Sequence, residues 1–237
     1  MRLLVVSPHF DDAPLSLGQS MLDGALARHD VTVGVVFARS NWVRWFHPTP
    51  HRRLLATTIR RTEEAVAAHR FGYRVVLGDR DEAILRLNSA DALDYLDPSF
   101  VPAESPELDS VLRTITSWAS THDAVLVPLG IGDHIDHRLA AAAGVQLTAD
   151  GVAVGFYVDR PYGSFLTDAE QAAAAGALDV TLERIDVSGS ITREKGRRLW
   201  YPSQFNGPFT EALAHDEKAG RREAVFATDR LVALGAL

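Results

Sequence analysis

The chain has 237 residues, 46% of them hydrophobic, with 24 basic residues against 31 acidic ones and a formal charge of −7. That length supports a substantial core, while that charge argues against nucleic acid as a partner, because phosphate backbones attract broadly basic surfaces. The absence of cysteine excludes disulfides, thiolate nucleophiles and cysteine zinc sites, so any metal must be held by imidazole and carboxylate.

The chain opens on Leu3-Leu4-Val5-Val6, an apolar run typical of a buried parallel strand. No signal-peptide pattern precedes it, and no apolar run reaches the roughly 18 residues of a membrane span, so a cytoplasmic protein without a membrane span is expected. The strand leads into Pro8-His9-Phe10-Asp11-Asp12. A helix is predicted over 14–28 from Leu15, Leu17, Met21, Leu22 and Leu26, then a strand over 31–37, which together make a right-handed βαβ unit. Residues 38–57 are irregular, aromatic and basic, with Trp42, Arg44, Trp45, Arg52 and Arg53. Their length suits a lid, and their tryptophans suit an oligomer contact equally well, so a homo-oligomer is one expectation.

A helix over 58–71 should end at Gly72, followed by a strand over 74–77. The turn-rich stretch 79–106 reads as local irregular structure. A helix over 107–121 and a strand over 124–128 come before the second cluster, His134-Ile135-Asp136-His137. The remaining elements are a helix over 137–145, a strand over 152–158, a helix over 167–178, a strand over 180–186, and helices over 192–201 and 214–227. This alternation predicts a three-layer, Rossmann-like α/β fold with a largely parallel sheet, in one domain spanning 1–237.

Both histidine-aspartate clusters follow predicted strands, and ligands gather beyond the carboxyl ends of parallel strands. Segments more than a hundred residues apart can therefore meet. In the first cluster His9 and Asp12 can serve one divalent ion while Asp11 stays free as a base. In the second, His134 and His137 are three residues apart and can face one site, although only one need bind metal. Two histidines and one carboxylate leave a coordination position open, as in a catalytic zinc site. Gly130-Ile131-Gly132 also follows a strand, but the third glycine of a dinucleotide fingerprint is absent.

These residues resemble the PIG-L or LmbE-like zinc-dependent N-acetylglucosaminyl deacetylases. That family's Pro-His-Pro-Asp-Asp-Glu motif matches Pro8-His9-Phe10-Asp11-Asp12-Ala13, and its His-Pro-Asp-His motif matches His134-Ile135-Asp136-His137. Arg61, Glu64, Ala68 and Gly72 echo a family helix, and Lys195 with Tyr201-Pro202-Ser203-Gln204 echoes a late Tyr-x-Ser-Gln segment. Ala13 stands where the family usually has glutamate, Phe10 and Ile135 replace prolines, and no tyrosine lies just before His134.

The resemblance implies that His9, Asp12 and His137 hold Zn2+, with Fe2+ or another divalent ion as a substitute. It implies Asp11 as general base, a protonated His134 as oxyanion stabiliser, Asp136 as the partner of an imidazole, and Arg61 as a substrate contact. The expected function is removal of an N-acetyl group from a small amino sugar or its conjugate in specialised metabolism. An amidase acting on a thiol conjugate, or a non-catalytic metal-binding member of the fold, is the alternative. Retention of Asp11 argues against the last, since a scaffold has no need of a free base.

Overall fold

The structure is a computed structural model that describes residues 1–89, 91 and 94–237. Its elements in chain order are β1 (Arg2–Ser7), α1 (Asp12–Asp23), β2 (Asp30–Val35), α2 (Arg53–Phe71), β3 (Arg74–Leu77), α3 (Ala83–Arg86), α4 (Leu108–Ala119) and β4 (Ala124–Pro128). There follow α5 (Ile135–Ala149), β5 (Val154–Tyr157), α6 (Asp168–Gly176), β6 (Glu183–Ser190), α7 (Arg193–Arg198), α8 (Gly207–Lys218), β7 (Arg222–Ala227) and α9 (Asp229–Ala233). Among the described residues no helix is long and apolar enough to cross a membrane.

The strands form one sheet in the order β3-β2-β1-β4-β5-β7-β6. The first five run parallel, and β7 lies antiparallel to both β5 and β6. The chain walks outward from β1 to β3 and then crosses back to place β4 on the other side of β1, with Leu3 opposite Val31 on one flank and Ala124 on the other. That reversal opens a crevice beyond the carboxyl ends of β1 and β4. The three-layer α/β expectation is met.

Alternate residues of β1 explain the layers. Leu3 and Val5 face a core shared with Leu15 and Leu17 of α1 and Ala67 and Phe71 of α2. Leu4 and Val6 face the opposite core, with Val111 and Ile115 of α4 and Leu139 and Ala143 of α5. All four β1 residues are fully buried, and each such side chain contributes roughly 1.5–3 kcal/mol.

Several boundaries differ from the expectations for identifiable reasons. Helix α1 stops at Asp23, because Gly24 turns away to bond its N–H to the Ser20 carbonyl, and a short 3-10 turn, Ala25–Arg28, completes the predicted span. A side chain at Gly24 would collide with the Val187 carbonyl of β6. Helix α2 begins five residues early. Its first turn carries Leu54 and Leu55 into solvent, so it lacks the buried apolar stripe on which a periodicity reading depends.

Gly72 ends α2 in the left-handed conformation (φ 78°) as predicted, and strands β3 and β4 fall where expected. Between β3 and α4 the chain makes α3 and a 3-10 turn, Pro102–Glu104. Residues 90, 92 and 93 of the expected irregular stretch lie outside the described residues. The predicted helix over 214–227 is corrected: α8 ends at Lys218, Gly220 adopts φ 61°, and Arg222–Ala227 is a strand buried between β5 and β6.

Candidate metal centre

The adjacency of β1 and β4 brings the two clusters together. His9 and Asp12 lie at the β1–α1 junction, where the Ser7 hydroxyl donates to the His9 carbonyl at 2.6 Å and accepts the Ala13 N–H at 3.0 Å. The His9 N–H donates to Asp12 Oδ2 at 2.7 Å. On the other side, Gly130 and Gly132 take φ 85° and 92°, and a Cβ at 132 would run into the Tyr162 ring. The turn therefore needs glycine where it delivers His134 to the start of α5, which begins at Ile135, two residues ahead of the predicted 137.

His9, Asp12 and His137 offer three donor atoms within 4.8 Å of one another. His9 Nδ1 lies 3.2 Å from Asp12 Oδ2, and His137 Nε2 lies 3.3 Å from the same oxygen. Donors bound at 2.0–2.1 Å to a tetrahedral zinc sit about 3.4 Å apart, so this spacing fits Zn2+. The far nitrogen of each ring meets a carboxylate: His9 Nε2 lies 3.0 Å from Asp136 Oδ2, and His137 Nδ1 lies 2.7 Å from Asp159 Oδ1. A carboxylate there holds the ring proton on the far side and leaves the near lone pair for a metal.

Those two carboxylates are themselves fixed. Asp159 Oδ2 accepts the backbone N–H groups of Gly130 and Ile131. Asp136 accepts the Ala83 N–H at 2.9 Å and the Arg86 guanidinium at 2.6 Å. Around the histidines, Asp11, Asp12, Glu82, Asp136 and Asp159 are all buried, and the cations that pair with them are Arg60 and Arg86. The centre is short of positive charge. Burial opposes charging of His9, yet the Asp12 charge and the hydrogen bonds that the ring donates to Asp12 and Asp136 carry its pKa up to about 9. His137 is likewise raised, against its burial, by Asp12 and Asp159. Protons on these rings supply the charge that a divalent cation would bring.

A second group, His9, His134 and Asp136, also clusters within 4.8 Å, but the ring protons disfavour it. His134 caps α5 by accepting the Asp136 N–H on Nδ1 at 3.2 Å, so the neutral ring must carry its proton on Nε2. Burial and the neighbouring His9 hold the His134 pKa well below the usual value. In this group His9 would also have to surrender the Nε2 proton that faces Asp136. The first set is the better metal seat.

Asp11 is buried beside this seat. Burial and the adjacent Asp12 raise its pKa to about 6, against the pull of Arg60 and His9. The Arg60 guanidinium lies 3.5 Å from Asp11 Oδ1 and also pairs with Glu82 and the Ser40 hydroxyl. Arg61 points into solvent, whereas Arg60 lines the cavity. The helix phase explains this: residues 60 and 63 share the inward face, and Glu63 accepts the Ser203 N–H at 2.7 Å and its hydroxyl at 2.5 Å. Glu64 accepts the hydroxyls of Tyr73 at 3.0 Å and Tyr201 at 2.7 Å. Burial raises the Glu64 carboxyl to about 8 despite those bonds.

Over the seat opens a cavity of about 230 Å3 walled by Trp42, Tyr95, Tyr162, Gln204, Asn206 and Phe209. Of the irregular segment 38–57, Trp42 reaches this wall, while Trp45 remains 54% exposed. Sequence reasoning missed Arg60, Glu82, Arg86 and Tyr95. Asp159 carried a detectable signal, since it closely follows the strand β5.

No family model matches the chain. It is 28% identical over 233 residues to a 2'-N-acetylparomamine deacetylase of Streptomyces fradiae, covering 93% of this chain and 80% of that protein. Its fold matches a deacetylase of teicoplanin biosynthesis solved with teicoplanin, with a TM-score of 0.66, 19% identity and coverage of 96% of this chain and 98% of the other. The zinc-inhibited form of teicoplanin deacetylase Orf2 matches with a TM-score of 0.62 and 20% identity over 97% of this chain and 99% of that one. The chain is thus similar in sequence to an amino-sugar deacetylase and shares its fold with deacetylases of teicoplanin biosynthesis, and its two converging motifs are those that resemble the LmbE/PIG-L-like deacetylases.

Proposed function

We propose that the chain is a zinc-dependent hydrolase that removes the N-acetyl group from a small amino sugar or its conjugate, as one domain over 1–237. Similarity to a 2'-N-acetylparomamine deacetylase supports that substrate class. His9 Nδ1, Asp12 Oδ2 and His137 Nε2 would hold the ion. Bound there, zinc supplies a Lewis acid that makes water a competent nucleophile near neutrality and polarises an amide carbonyl.

The remaining steps belong to side chains. Asp11 takes the proton from the attacking water, a role for which a carboxylate with a pKa of about 6 is suited near neutral pH. His134 donates from Nε2 to the developing oxyanion, a contribution of a few kcal/mol for a well-placed donor. It does so as a neutral ring, because the α5 cap occupies Nδ1. That revises the expectation of a protonated His134. Asp11 then returns its proton to the departing amine. Asp136 and Asp159 orient the two ligand rings.

The observation that carries this reading is the pair of 3.2 and 3.3 Å separations around Asp12 Oδ2, with a second buried carboxylate, Asp11, outside that set and alongside it. Metal analysis of the purified protein, followed by acetate release from 2'-N-acetylparomamine with and without a chelator, tests it. Zinc-dependent release is expected, and a chelator-insensitive rate would overturn the reading.

A further inference from the structure

The His134 side chain is held at one end by the Asp136 N–H, which leaves rotation about that contact to be limited by packing. Three rings surround it: His9 edge-on at 4.7 Å between centroids, His137 at 5.2 Å and Tyr95 at 5.1 Å. Asp136 and Asp159 lock the two histidines in place. Tyr95 comes from a separate segment that is tied to the same turn by its backbone. The Tyr95 carbonyl accepts the Ile135 N–H at 3.0 Å, Leu96 bridges to His134, and Asp97 donates its N–H to the Asp133 carbonyl at 3.1 Å. Arg138 of α5 clasps the Asp97 carbonyl at 2.9 Å.

We infer that Tyr95 is a positioning residue, whose ring clamps the neutral His134 imidazole so that Nε2–H points into the cavity. The inference rests on the role proposed above for His134. A donor that swings away from the oxyanion costs rate without costing ground-state affinity, since the acetamide carbonyl gains its full charge only in the transition state. The clamp is a matter of ring packing, so phenylalanine should serve as well as tyrosine. The backbone contacts of residue 95 survive substitution, so the segment stays in place in either variant.

Steady-state kinetics of zinc-loaded enzyme on 2'-N-acetylparomamine test the assignment. Tyr95→Leu should lower kcat about tenfold with KM unchanged, the scale of a modest misplacement of a reacting group. Tyr95→Phe should restore the rate, and Tyr95→Leu should add no further loss in a His134→Ala background. The inference is overturned if Tyr95→Phe is as slow as Tyr95→Leu, if the two losses multiply in the double variant, or if only KM moves. A normal rate in His134→Ala alone would instead remove the proposed role of His134, and the clamp with it.

Discussion

Two clusters of buried charge sit along the same sheet, one beside its β7–β6 edge and one beyond its central strands, and they are balanced differently. Beside β6 and β7, Lys195 Nζ lies 2.8 Å from Glu223 Oε1 with both side chains fully buried, and Arg160 lies 2.8 Å from Asp216. Glu223 also accepts the backbone N–H groups of Gln19 and Ser20, and Asp216 accepts the Ser164 hydroxyl. Each cation there has its own anion. Beyond the carboxyl ends of β1 and β4, five buried carboxylates face Arg60 and Arg86, and protons on His9 and His137 make up only part of the difference. Charge at the β7–β6 edge is neutralised within the chain, whereas charge at the proposed metal seat is left for the ion it would hold.

That contrast can be broken most sharply at the seat. Asp12→Ala removes the oxygen shared by both histidines and should abolish zinc binding and measurable turnover. Its neighbour separates binding from chemistry: Asp11→Ala should retain zinc while kcat falls by about 10²–10⁴. Equal metal loss in the two variants, read by elemental analysis, would erase the division between ligand and base. In the balanced cluster, Lys195→Ala should leave an unpaired buried carboxylate and cost about 3–5 kcal/mol in a denaturant titration. Zinc stoichiometry of its folded fraction should not change.

Smaller effects sharpen the same comparison. Asp159→Asn keeps a group near His137 Nδ1 but not the charge, and zinc affinity measured by competition should weaken about 10–100-fold. A further effect, on stability and not on zinc or turnover, is expected at Glu64, beneath the seat. Its folded pKa of about 8 exceeds the ordinary 4.5, so between those values the unfolded chain releases a proton that the folded chain keeps. Stability therefore falls as pH rises through that window and the loss is complete above about 8. Glu64→Gln should flatten this slope in unfolding curves recorded from pH 5 to 9. A slope equal to that of the unsubstituted protein would show that Glu64 is not its source.

The legible parts of the fold were those whose pattern and burial agree. Strands β3 and β4 are short apolar runs bounded by turn residues, and both fell where the sequence placed them. The run 224–227 is equally apolar, but alanine, valine and phenylalanine suit a buried helix or a buried strand, and only its pairing with β5 and β6 decides. In the site, residues adjacent to the motifs were readable because chemistry restricts which side chains can sit there. Arg61 came from the resemblance to a family helix, and the buried neighbour is Arg60, because one residue along a helix is a 100° rotation that spacing does not fix. Tyr95 arrives through an isolated bridge in an irregular segment, a placement no local periodicity records.

The pairing of β1 with β4 has a consequence for the nascent polypeptide. His9 and Asp12 leave the ribosome more than a hundred residues ahead of His137, so an emerging portion that ends before β4 owns only two of the three proposed ligands. The proposed seat is therefore complete only once the fourth strand has docked beside the first and brought His137 to Asp12.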